Sequence, residues 1–183
     1  MRMHVKKTVS CCFAALRQLR QIRRSVPTST FHKLVVAQLV HSRLDYGNGV
    51  LVGIPAHLKR RLQPVLNVAA RLIFNLERSD HITDALVSLH WLRVMERIQY
   101  KIAVLSYKVL HDTVPQYLGP LTRVADVPGR RALHSASTDR LEVPYFKLST
   151  IGGRAFPVAA SQIWNSLPDT VFRHQHCGRS STN

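Results

Sequence analysis

The sequence predicts a mainly α protein: a small helical bundle over residues 1–120, then an irregular C-terminal extension over 121–183 containing short β pieces. Three observations predict it. Apolar residues recur at helical spacing in successive stretches up to residue 111. Pro120, Pro128 and Gly129 then mark a linker. Beyond them the apolar runs are short and broken by proline and glycine. At 183 residues and 45% apolar composition, the chain suits one domain with a modest core, with or without a tail.

Residues 5–26 read as a helix, because Val5, Val9, Cys12, Leu16 and Leu19 share one side at about 100° per residue. Pro27 ends it, and Thr28 or Ser29 is placed to cap the next. That second helix covers 30–46, with Leu34, Val35, Leu39 and Val40 apolar; Gly47 and Gly49 weaken its end. The clearest period runs over 56–76, through Leu58, Leu62, Val65, Leu66, Ala69, Leu72, Ile73 and Leu76. Pro64 falls inside this period. It either kinks the helix, at a cost of about 3 kcal/mol or more, or marks the first turn of a later start.

Asp80 or Thr83 can cap a short helix over 81–89. Residues 94–111 form another, with Ile98, Ile102, Leu105 and Val109 inward, ended by the Thr113-Val114-Pro115 step. In the extension, 141–143 and 145–148 are β-prone pieces split by Pro144. Gly152 and Gly153 make a turn, and 155–167 read as a short helix closed by Pro168. Residues 173–183 are polar and aperiodic, the composition of a disordered tail.

Charge narrows the partner. Lysine and arginine number 26 against 10 acids, a net charge of +16, and 19 of the 26 are arginine. Residues 1–78 hold 14 basic and 2 acidic side chains; residues 79–183 hold 12 and 8. Arginine stays charged at physiological pH and forks onto phosphate oxygens, so this asymmetry points to a polyanion. Enzymes of small neutral substrates have no use for such a field.

The missing motifs are equally informative. Two-metal polymerase or nuclease chemistry needs clustered carboxylates, and here no two acids are adjacent. No phosphate-cradling glycine loop, His-Glu-x-x-His or Gly-x-Ser-x-Gly motif occurs. Cys11, Cys12 and Cys177 form no disulfide framework, which suits a reducing compartment. His174, His176 and Cys177 cluster without the upstream ligands a zinc site requires. The chain is therefore expected to carry no catalytic residue, no metal and no cofactor. The longest apolar stretch is far below the ~20 residues of a membrane span, and the N-terminus lacks a signal peptide's apolar core. The expected location is intracellular, in nucleus or cytoplasm.

Three basic stripes flank the expected helices: Lys6, Arg17, Arg20 and Arg24; Lys59, Arg60 and Arg61; and Arg93, Arg97, Lys101 and Lys108. One stripe can be a solvated helix face whose long stems shield the core edge. Three together, with acids this scarce, point to phosphate binding. Trp91 and Trp164 could stack on bases, but each reads better as a core anchor with a satisfied indole N–H.

Several phrases also occur in a specific order. Ser42-Arg43-Leu44-Asp45-Tyr46 is followed by Leu66-Asn67-Val68-Ala69-Ala70-Arg71-Leu72, then Asp80-His81-Ile82-Thr83 and Leu89-His90-Trp91-Leu92. Tyr107-Lys108-Val109-Leu110-His111, Pro115-x-Tyr117-Leu118, Gly153-Arg154-Ala155-Phe156 and Trp164-Asn165-Ser166-Leu167-Pro168 come after. In this order and spacing they resemble the C-terminal part of the reverse transcriptase of non-LTR retrotransposons, LINE-like elements of the jockey kind, over roughly residues 4–172. The resemblance implies a helical thumb with a C-terminal extension. The palm, with its Tyr/Phe-x-Asp-Asp motif and Mg²⁺ ions, has no counterpart here.

What the resemblance implies is a truncated, non-catalytic portion of an RNA-directed DNA polymerase. It would bind an RNA–DNA hybrid or duplex through backbone phosphates, independently of sequence. Two alternatives stand beside it. One is a decayed reading frame without selected function, motivated by Gly47, Gly49 and Pro64, and by Arg93 where a proline is usual. The other is a domesticated protein-interaction module using Leu58, Leu62 and Leu66, or Ile98 and Leu105.

Overall fold

The computed structural model describes residues 1–127, 139–148 and 152–168, and these are mainly helical. Packing divides the chain into two compact units, Met1–Ile98 and a second beginning at Gln99. The division falls inside a helix, upstream of the 120/121 boundary read from the sequence. No described helix is long and apolar enough to cross a membrane.

In the first unit, α1 (Arg2–Ile22) buries Val5, Cys12, Ala15, Leu16 and Leu19. These positions follow the expected stripe, and the helix packs on α3, α4 and the segment after α2. Pro27 sits in an extended conformation, φ −57° and ψ 144°, and occupies the cap position of α2 (Thr28–Val35). Thr28 and Ser29 lie within α2 rather than capping it, and no side chain caps that end.

Residues Val36–Asp45 continue α2 as a π-helix, a wider i→i+5 winding that the helical period did not reveal. Gln38 shows a local competitor for the ordinary pattern. Its carbonyl accepts from Ser42 Oγ at 2.5 Å and from Arg43 Nε at 3.3 Å. The segment buries Leu39, Val40 and Leu44. Tyr46 is already extended, and Gly47 turns the chain with φ +66°. Gly47 thus fills a left-handed position that suits glycine.

The long period over 56–76 is two helices, α3 (Ala56–Arg60) and α4 (Gln63–Phe74). Pro64 lies in the first turn of α4, where its missing N–H would have had no intrahelical partner. The interior kink and its energetic cost do not arise. Leu58, Leu62, Val65, Leu66, Ala69, Ala70 and Ile73 are buried. Each large apolar side chain so buried contributes roughly 1.5–3 kcal/mol. Asn75, left-handed at φ 56°, closes α4, and the Leu76 N–H reaches back to the Arg71 carbonyl.

Helix α5 (Thr83–Ser88) has no side-chain cap. Asp80, one of two candidate caps, instead accepts from the Glu77 N–H at 2.7 Å. Helix α6 (Val94–Leu110) is capped from both sides of its start. Glu96 Oε2 accepts from the Arg93 N–H at 3.1 Å, and Gln63 Oε1 accepts from the Val94 N–H at 2.9 Å. Val94, Ile98, Ile102 and Ser106 are its buried residues; Leu105 and Val109 are only half-buried.

In the second unit the β-prone pieces are not strands. Among the described residues the only β pairing is one antiparallel bridge, Arg123 with Leu141. The bonds Val124 N–H to Arg140 O and Glu142 N–H to Thr122 O frame it. Pro144 stops the pairing from extending past residue 143, since it brings no donor, and residues 142–145 are exposed.

Leu141 is instead held by α7 (Phe156–Asn165). The Asn165 side-chain amide donates to the Leu141 carbonyl and accepts from its N–H, both at 2.8 Å. Trp164 is 2% exposed, and its indole N–H donates to the Asp139 carbonyl at 2.8 Å. It is a core anchor. At Gly152 an added Cβ would stand 2.6 Å from Phe146 Cβ, so the turn at 152–154 requires glycine there. The linker positions Pro128 and Gly129, and the polar tail over 173–183, lie outside the described residues.

Candidate nucleic-acid interface

The basic residues fall into two groups by what their side chains touch. On α1, Lys6, Arg17 and Arg20 are all exposed, and Arg24 is exposed in the turn that follows. At 100° per residue they lie in one row, roughly 100° round the helix from the buried stripe. Among the described residues Arg17 makes one long contact with its own helix, Nε to the Phe13 carbonyl at 3.4 Å. Arg20 also rims a groove of about 740 Å³ with Arg71 and Arg78, over Val68, Leu72 and Leu76.

The second stripe is split by burial. Arg60 and Arg61 are exposed at the end of α3. Lys59 is half-buried, and loss of water around its ammonium lowers its pKa below the ordinary value.

The third stripe does not act as one face. Arg93 and Lys108 are exposed and Lys101 is half-buried. Arg97, a predicted phosphate contact, is bound within the protein. Its Nε donates to Asp45 Oδ1 at 2.9 Å, and a terminal nitrogen donates to Asp45 Oδ2. The side chains of Arg97 and Asp45 are 18% and 21% exposed. Bidentate Arg–carboxylate geometry is strong and directional, so Arg97 is a structural cross-link.

Two more arginines have structural work that sequence reasoning missed. Arg23 donates from Nε to the Leu72 carbonyl at 3.3 Å and from Nη2 to the Ile73 carbonyl at 3.2 Å. It thereby caps the C-terminal end of α4, where carbonyls lack partners and a cation is favoured. Its guanidinium carbon lies 5.0 Å from the centre of the Phe31 ring. Arg71 holds the loop after α4 through the Glu77, Arg78 and Asp80 carbonyls at 3.2–3.5 Å. No local pattern separates these arginines from their exposed neighbours.

Trp91 is half-buried and lines a pocket of about 370 Å³ beside Leu86, Val87 and Leu92. Among the described residues, no three His, Cys, Asp or Glu side chains gather as a metal-holding group. His174, His176 and Cys177 lie outside the described residues. Compared with known protein families, with curated proteins and with solved structures, the chain gives no match.

Proposed function

We propose that this chain is the thumb and C-terminal extension of a non-LTR retrotransposon reverse transcriptase, a non-catalytic portion that holds template–primer duplex. It grips an RNA–DNA hybrid or duplex by its phosphates and reads no sequence. The phrases running from Ser42 to Pro168 motivate the family. The observation that carries the binding role is the exposed row of Lys6, Arg17, Arg20 and Arg24. Of the two acids in residues 1–78, Asp45 is paired with Arg97, so the 14 basic side chains of that segment are offset by little acid within it. Chemistry, with its Mg²⁺ ions, belongs to a palm that this chain does not match.

The test is binding of the purified chain to an RNA–DNA hybrid across a salt series. Each phosphate neutralised contributes a log–log slope of about −0.9 on duplex DNA. The double variant Arg17→Glu/Arg20→Glu should flatten that slope by about two contacts' worth. Salt-independent binding, or none at low salt, removes the proposal.

The rival reading as a decayed frame draws on Gly47, Gly49 and Pro64. Gly47 and Pro64 sit where glycine and proline are favoured. The interaction-module reading draws on Leu58, Leu62 and Leu66, or Ile98 and Leu105; of these Leu105 is half-buried and the other four are buried.

A further inference from the structure

Helix α6 carries rings on its outer side. Tyr100 is 63% exposed and Tyr107 44% exposed. Seven residues apart, they differ by only about 20° around the helix and stand roughly 10 Å apart along it. Tyr107 continues into His111, with ring centres 4.2 Å apart and planes tilted by 43°. His111 is held one turn on, its N–H donating to the Tyr107 carbonyl at 3.2 Å. Lys108, exposed, stands beside Tyr107 on the flank of this row. All four residues belong to the second unit.

Scattered exposed aromatics are ordinary. A row of three rings, two on one face of α6 and the third in the turn just past its end, two of them in contact and with an ammonium alongside, is a surface of defined chemistry. Every nucleobase has a π-face, and single-strand binders pair aromatic platforms with cations that follow the backbone. The ~10 Å between Tyr100 and Tyr107 is a distance that a few unpaired nucleotides can span, so one strand can reach both rings.

We infer that Tyr100, Tyr107 and His111 form a stacking platform for unpaired nucleotides, with Lys108 on the adjoining phosphate. This goes beyond the phosphate grip on duplex, because it requires bases free of their partners. It rests on the proposal that the chain handles nucleic acid. Residues 79–183 are still net basic, 12 basic against 8 acidic side chains, and Lys108 adds a cation beside the rings, which favours this occupant over a basic partner.

The experiment titrates the full chain with short oligothymidylate, with an abasic strand of equal length, and with duplex. Stacking predicts that oligothymidylate binds about fivefold or more tighter than the abasic strand, since each stacked base strengthens binding. Tyr100→Leu/Tyr107→Leu should abolish that preference and leave abasic binding unchanged. Tyr100→Phe/Tyr107→Phe should keep it, since the ring remains. Circular dichroism verifies that the variants retain their helix. Equal binding of the two single strands, binding of neither, or a preference that survives the leucine variant overturns the inference. Failure of the phosphate grip would appear separately, as loss of salt-sensitive binding to the duplex.

Discussion

Arg97 on α6 grips both carboxylate oxygens of Asp45, which ends the π segment 52 residues earlier. Both side chains are mostly withdrawn from solvent. Arg97→Ala should therefore destabilise the first unit by about 1–3 kcal/mol, between the values for exposed and buried pairs. Arg97→Lys should restore little of it, because an ammonium cannot fork. Urea unfolding checks the stability, and the salt slope of hybrid binding by the folded variant should be unaltered, because no phosphate contact is lost. A slope shallower by about one contact at an unchanged unfolding midpoint would return Arg97 to the phosphate-contacting set.

Gly47 and Pro64 should respond differently to alanine. Gly47→Ala forces a Cβ into left-handed backbone and should cost roughly 1–2 kcal/mol, even though the space around it is open. Pro64→Ala should change stability by less than about 1 kcal/mol, because the first turn of a helix tolerates proline. A gain of about 3 kcal/mol at position 64 would show that proline was straining a helix interior after all. Thermal melts of the two variants decide it.

Asn165→Ala should loosen the second unit. It removes two 2.8 Å hydrogen bonds and leaves the N–H and carbonyl of Leu141 without those partners. The expected loss is about 1–3 kcal/mol. Amide exchange at Leu141 measures it directly: protection there should fall while protection in α4 is retained. Unchanged protection at Leu141 would mean that the Arg123 bridge alone holds the segment.

Cys12 supplies a pH signature. Burial in the α1 core pushes its thiol pKa from 9.0 to about 11. Above pH 9.0 the unfolded chain loses this proton while the folded chain keeps it. This contribution is therefore fully present below pH 9.0 and falls as pH rises to about 11. The alkaline loss of stability should be smaller in Cys12→Ala than in the parent over that window. Equal slopes in the two proteins would show that the thiol titrates normally. At neutral pH, exposed Cys11 should react with a thiol reagent while Cys12 stays protected.

Much of the helical layout was legible before any packing was considered. The buried stripe of α1, the apolar period of α3 and α4, and the extent of α6 all follow from spacing, because helical periodicity is a property of neighbouring residues. The exposed row at Lys6, Arg17 and Arg20 was legible for the same reason, since one helix places all three. Tertiary structure alone decided which basic side chains face solvent and which cross-link the fold. Arg17 and Arg97 look alike in sequence, yet Arg97 meets a carboxylate 52 residues away. It also decided that Leu141 is held by an asparagine amide and a single bridge to Arg123 rather than by a strand. Propensity describes what a segment prefers locally, whereas a buried donor or acceptor is satisfied by whichever distant partner the packing brings within reach.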